Sequence, residues 1–143
     1  MTTTTVDGRI IGQAHYATRA LLESLLARSG TTFHQAVALN ATADSGGATE
    51  RARLTDRMTG TLKTDAETAG AAIDSLVADG LLADAGSRLE LTASGRALHD
   101  GIRTGTAGIT ARLYADLPAE DLAAAGRVLT VVTERANAAL AAG

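Results

Sequence analysis

The sequence has no cysteine, no tryptophan, a single proline and only 2% aromatic residues across 143 positions. Without thiols there is no disulfide scaffold, no thiolate metal site and no cysteine nucleophile. The histidines, His15, His34 and His99, are scattered and offer no metal-ligand spacing, so neither a metal nor any other cofactor is expected. No apolar run approaches the roughly 20 residues of a membrane span. The stretch from Met1 to Thr5 has neither the charged nor the apolar region of a secretory signal, so a cytoplasmic chain with no membrane partner is expected. Gly-x-Ser-x-Gly elbow, P-loop and dinucleotide fingerprint are all missing, and no nucleophile is paired with a base, so no enzyme activity is expected.

What remains is 45% hydrophobic and rich in alanine, a composition for helices that approach closely and pack Ala, Leu, Ile and Val between them. The formal net charge of −3 argues mildly against a nucleic-acid partner, so any such role must rest on local charge.

Met1 to Val6 is a threonine run without periodicity and reads as a disordered tip. From Asp7 to Arg28 the positions Ile11, Ala14, Ala17, Leu21, Leu22, Leu25 and Leu26 recur at helical spacing, with Gly30 as the stop. Thr32 and Gln35 have the spacing of a capping box and open a second helix from about Phe33 to Ala41. The Asp44-Ser45-Gly46-Gly47 loop precedes a third helix whose Leu54, Met58 and Leu62 share one face. Thr64 and Glu67 offer a second capping box, followed by the inward stripe Ala69, Ala72, Ile73, Leu76 and Val77 and a stop at Gly80. A hairpin follows, with its turn at Ala85-Gly86-Ser87 and the alternating strand Arg88-Leu89-Glu90-Leu91. A helix from about Ser94 to Ala115 contains Gly101, Gly105 and Gly108 and needs outside support. Pro118 opens the last helix, where Glu120 and Asp121 meet the positive end and Leu122, Ala125, Leu129, Val132, Ala136 and Leu140 form a seam suited to another helix.

Helix, helix, turn, helix, two-strand wing, helix is the order of a winged helix-turn-helix, in which the helix before the wing enters the major groove. The expected class is mainly α with a small β-hairpin wing, flanked by N- and C-terminal dimerisation helices. The chain resembles the MarR family of bacterial transcriptional regulators through Gly30-Thr31-Thr32 with Gln35 and Leu39, the Leu76–Leu82 exit, the Leu91–Leu98 segment and Leu117-Pro118-Ala119-Glu120-Asp121-Leu122. The resemblance implies a homodimer, palindromic double-stranded DNA and often a small phenolic or aromatic-acid ligand between the dimerisation and DNA-binding regions. It also implies one domain over residues 7–143, with DNA-binding residues 32–98 between dimerisation residues 7–30 and 99–143.

Departures from the family shape the mechanism. Ala71 stands where the family usually carries an arginine midway along the recognition helix, and the wing is shorter, with only Arg88 carried over as a minor-groove or backbone contact. Thr68, Ala71 and Ser75 are expected to face bases, with Asp74 among them repelling phosphate. Arg51, Arg53, Arg57 and Lys63 oppose only Glu50 and Asp56 and form the one basic patch, with Thr64 beside it, as candidate phosphate contacts. Out of context such arginines are an ordinary solvated face; their place before the recognition helix favours the phosphate role.

His15, Tyr16 and Arg19 fall within about one turn of the first helix, where the family lines its ligand pocket. A plain interface or surface role fits them equally well. Phe33 is expected in the core, His34 and His99 on the surface or at caps, and the Asn40-Ala41-Thr42 sequon is expected to be accidental. A different class of role is a winged-helix dimer used for protein association or small-molecule sensing without sequence-specific DNA binding, motivated by Asp74 and by alanine at position 71.

Overall fold

In the computed structural model, residues 3–143 are described. The expectation of a disordered tip over residues 1–6 therefore falls partly, at Met1 and Thr2, outside the described residues; Thr3 to Val6 form neither helix nor strand. Helix α1 (Gly8–Ala27) begins because the Asp7 carboxylate accepts from the Ile10 amide at 2.9 Å. It ends at Gly30, whose φ of +67° lets Thr31 N–H turn back to the Leu26 carbonyl.

The Thr32–Gln35 capping box is formed as the spacing predicts and starts α2 (Phe33–Asp44). The helix continues beyond Ala41 to Asp44 because the reversal is made by Gly46 and Gly47, with φ of +81° and +93°. A strand the sequence does not announce follows, β1 (Ala48–Glu50), leading directly into α3 (Arg51–Leu62). Then come α4 (Ala66–Ala78), β2 (Leu82–Ala85), β3 (Arg88–Leu91), α5 (Ala93–Tyr114) and α6 (Ala119–Ala142).

The antiparallel sheet has the order β1-β3-β2, with Ala48 opposite Glu90 and Leu82 opposite Leu91. Ala85 pairs with Arg88, so the hairpin loop is only Gly86-Ser87, and Gly86 (φ +80°) takes the first position as a II′ turn requires. Ala85, expected in the turn, belongs to the strand.

Leu39, Leu54, Met58, Ile73, Leu76, Leu82 and Leu89 are wholly buried in one cluster built by α2, α3, α4 and the sheet. His99, expected on the surface or at a cap, is buried, its ring nitrogen Nε2 3.3 Å from Asn40 Oδ1. Gly95 allows α5 to start against the α4–β2 exit: a Cβ there would stand 2.0 Å from the Leu81 carbonyl oxygen. Farther along α5, Leu25 of α1 packs where a Cβ on Gly105 would lie, 2.8 Å from its Cδ1.

The chain divides into two compact units, one running to Ile109 and the other Thr110–Gly143. The second contains the end of α5 and all of α6, which Pro118 precedes with φ −59° and in which Glu120 and Asp121 occupy the first turn. No residue of α6 is buried, and Leu122, Val128, Leu129, Val131, Val132 and Leu140 are exposed along it.

Candidate nucleic-acid interface

The first residue of α3 joins three elements. Arg51 N–H donates to the Ser87 carbonyl in the wing turn at 2.7 Å, and its guanidinium pairs with Asp74 on α4. The helix pair and the wing thus meet at one residue. Asp74, expected as a bare carboxylate, instead has a cation against it although its side chain is 70% exposed.

The other basic residues differ in what holds them. Arg57 Nη2 lies 3.0 Å from Asp44 Oδ2, and its Nη1 reaches the Ala41 carbonyl at 3.5 Å. Arg53 is exposed and makes no ion pair among the described residues. Lys63 closes α3 in the left-handed conformation (φ +55°), and its Nζ donates to the Gly60 carbonyl at 2.7 Å. Arg88, exposed on β3, has Nε 3.9 Å from Glu90 Oε1. Arg53, Arg57 and Arg88 come together around one cleft of about 730 Å³, with Glu50 the carboxylate among them.

The second capping box does not form. The N-cap of α4 is Asp65, whose carboxylate accepts from Thr68 N–H at 2.7 Å, while Thr64 lies half-buried in the preceding loop. That hydrogen bond to the Thr68 backbone, with help from the Thr68 side chain, holds the Asp65 carboxyl below its ordinary 3.8. Asp is an N-cap as good as Thr, and taking it starts the helix one residue later. Glu67, freed from capping, remains in the first turn, where negative charge meets the positive helix end.

Along α4, Thr68 and Ala71 are exposed as the sequence predicts. Ser75 is only half-exposed, and its hydroxyl accepts from Gln35 Nε2 at 2.8 Å. Of the three, Thr68 and Ala71 are therefore the outward-facing residues, and Ser75 is engaged with α2. The pairings of Gln35 with Ser75 and of Asp44 with Arg57 escape a local reading because the partners lie far along the chain.

On α1, the His15 and Tyr16 rings are 5.5 Å apart and tilted by 59°, with Tyr16 73% exposed. Arg19 turns from them: its guanidinium lies 4.3 Å above the centre of the Phe33 ring and its Nε is 3.4 Å from Glu23. Phe33, expected in the core, is half-buried beneath that cation. Among the described residues no group of three or more His, Asp or Glu side chains is placed to hold a metal ion. No helix among them is long and apolar enough to cross a membrane.

A helix-turn-helix whose second helix leads into a small antiparallel hairpin, with long helices at both ends, defines a winged-helix fold. Solved structures agree. Bordetella bronchiseptica BpsR, studied for regulation of DNA binding by 6-hydroxynicotinic acid, is 23% identical with a TM-score of 0.72 over 92% of this chain and 97% of its own. MarR of E. coli in its reduced form is 20% identical with a TM-score of 0.69, over 91% and 95%. A MarR-family protein of Mycobacterium tuberculosis in complex with DNA is 19% identical with a TM-score of 0.69, over 90% and 98%. Neither a family model nor a curated protein sequence matches the chain. The chain has the MarR-type winged-helix fold, and at these identities the likeness is one of fold.

Proposed function

We propose that the protein is a cytoplasmic DNA-binding transcriptional regulator that acts as a homodimer on a palindromic duplex and is released by a small phenolic or aromatic acid. The observation that carries the reading is the junction at Arg51, where α3, the exposed Thr68–Ala71 face of α4 and the wing turn are fixed to one another. A recognition helix reads a groove only if its neighbours hold it in register on the backbone. Arg53, Arg57, Lys63 and Arg88 supply the phosphate contacts, with Thr64 beside them; Thr68 and Ala71 supply a polar and a methyl contact to base edges. With no arginine at position 71, specificity comes largely from duplex shape and dimer spacing.

Dimerisation is assigned to residues 7–30 and 99–143, supported by the apolar positions that α6 leaves exposed. Ligand release rests on His15, Tyr16 and Arg19 and on solved structures of the same fold, one with salicylic acid and one concerned with 6-hydroxynicotinic acid. Arg19 would exchange its stacking on Phe33 for the ligand's carboxylate.

The test is titration of labelled palindromic duplexes at two salt concentrations. Affinity should fall with a log–log slope of about −0.9 for each phosphate neutralised. Binding that ignores salt, or no binding at low salt, overturns the reading. A second reading, a winged-helix dimer for protein association or small-molecule sensing without DNA, is favoured by the exposed Asp74 and by the engagement of Ser75 with Gln35. Two basic lobes roughly 34 Å apart on the dimer would favour DNA, and a negative α4 face the alternative.

A further inference from the structure

Three carboxylates stand between the N-cap and the end of α4, and two of them are engaged within the fold. Asp65 caps the helix by accepting from the Thr68 amide, and Asp74 pairs with Arg51. Glu67 is different. The capping box that its spacing to Thr64 suggests does not form, and its exposed side chain makes no ion pair among the described residues.

Glu67 precedes Ala71 by four positions, so the two lie one turn apart on the same face of α4, and both are exposed. That face, with Thr68 beside it, is the one the DNA-binding reading turns toward the major groove. Residues in the first turn of a recognition helix are the ones that reach base edges. Glu67 occupies that turn.

The chemistry of the face narrows what it can read. Neither lysine nor arginine occurs in α4, so the helix cannot make the forked cationic contact to guanine O6 and N7. An ionised carboxylate accepts hydrogen bonds and donates none. Guanine O6 and N7 and thymine O4 are acceptors and repel it, while adenine sets its N6 donor beside an N7 acceptor, an arrangement suited to an amide. Cytosine offers its N4 amino donor with no acceptor of its own next to it in the major groove. A carboxylate also repels the phosphate backbone, so it weakens binding to every sequence and recovers the loss only where a donor meets it.

We propose that Glu67 is a specificity-determining residue of the DNA-binding face, selecting cytosine at one position of each half-site by accepting from its N4 amino group. The inference rests on the DNA-binding reading and adds to it a base identity that phosphate contacts and duplex shape do not supply.

The experiment selects duplexes with a randomised core on the full chain and on its E67Q and E67A variants, and sequences what is bound. Position 67 is exposed, and thermal unfolding checks that both variants remain folded. The parent should enrich cytosine roughly tenfold at one position per half-site, the size of a single good base contact. Glu67→Gln should turn that position to adenine, because an amide meets both N6 and N7, and Glu67→Ala should leave it indifferent. The remaining positions should keep their preferences in both variants. Variants that bind all duplexes more tightly by a common factor, with every base preference unchanged, would show that Glu67 only repels phosphate and overturn the proposal. In that case the DNA-binding reading stands. If the parent enriches no duplex, that reading fails and the role of Glu67 falls with it.

Discussion

The side-chain amide of Gln35 donates to the Ser75 hydroxyl at 2.8 Å, while the same residue's Oε1 accepts from the Thr32 backbone N–H at 2.9 Å. One buried residue thus closes the first turn of α2 and fixes α4 against it. Initiation of α2 and placement of α4 are joined in a single side chain.

Gln35→Ala should therefore cost more than an ordinary cap. A loss of roughly 1–2 kcal/mol is expected from the broken box and the orphaned hydroxyl together. Urea unfolding measures it, and Ser75→Ala should cost clearly less in the Gln35→Ala background than in the parent. Equal costs in both backgrounds would show that the two residues act separately.

The start of α4 makes a paired prediction. Asp65→Ala should lower the urea midpoint at neutral pH, and Thr64→Ala should leave it nearly unchanged, because only Asp65 accepts from the Thr68 amide. The Asp65 carboxyl titrates below 3.8 in the folded chain, so its contribution is complete above 3.8 and is lost as pH falls through the lower folded value. The gap between parent and Asp65→Ala should close on acidification over that range. A gap that persists in acid would mean that the charged cap is not its source.

Much of the fold is legible locally, and the exceptions share a cause. Helix stops at Gly30 and Gly80, the Thr32–Gln35 box and the buried stripe of α4 are written in residues a few positions apart. Strand β1 is invisible because Ala48-Thr49-Glu50 is too short to show alternation, and its existence depends on β3 forty residues away. Thr64 and Asp65 are adjacent candidates for one cap, and spacing to Glu67 selects the wrong one. Helical periodicity leaves Ser75 facing out; a glutamine forty residues earlier draws its hydroxyl toward α2. Charge behaves likewise, since the partners of Arg51 and Arg57 are Asp74 and Asp44, both distant in sequence.

Asp74 restrains Arg51, which leads to a prediction on the DNA-binding reading. Asp74→Asn should free the guanidinium for the backbone, tighten duplex binding and steepen the salt dependence by about 0.9 of a log–log unit. Fluorescence anisotropy at several salt concentrations reads both effects. An unchanged slope would mean that Arg51 stays with α4 and contacts no phosphate.

Two glycines of α5 should respond to alanine by very different amounts. At Gly95 the obstruction is the Leu81 main-chain oxygen, 2.0 Å from the added carbon, and a cost of roughly 3 kcal/mol or more is expected. At Gly105 the obstruction is the tip of Leu25, which can rotate aside. There the helical gain of about 1 kcal/mol for alanine over glycine should offset most of the crowding. Thermal unfolding of the two variants compares them directly.

The difference reaches beyond stability into how the chain can change over generations. A defect at position 105 can be relieved by a smaller residue at 25, so a second-site suppressor exists for it. Position 95 has none of that kind, because every amino acid at position 81 brings the same carbonyl oxygen. Lineages that keep this junction between α5 and the wing must keep that glycine, and a search for revertants of Gly95→Ala should return the original codon rather than a compensating side chain.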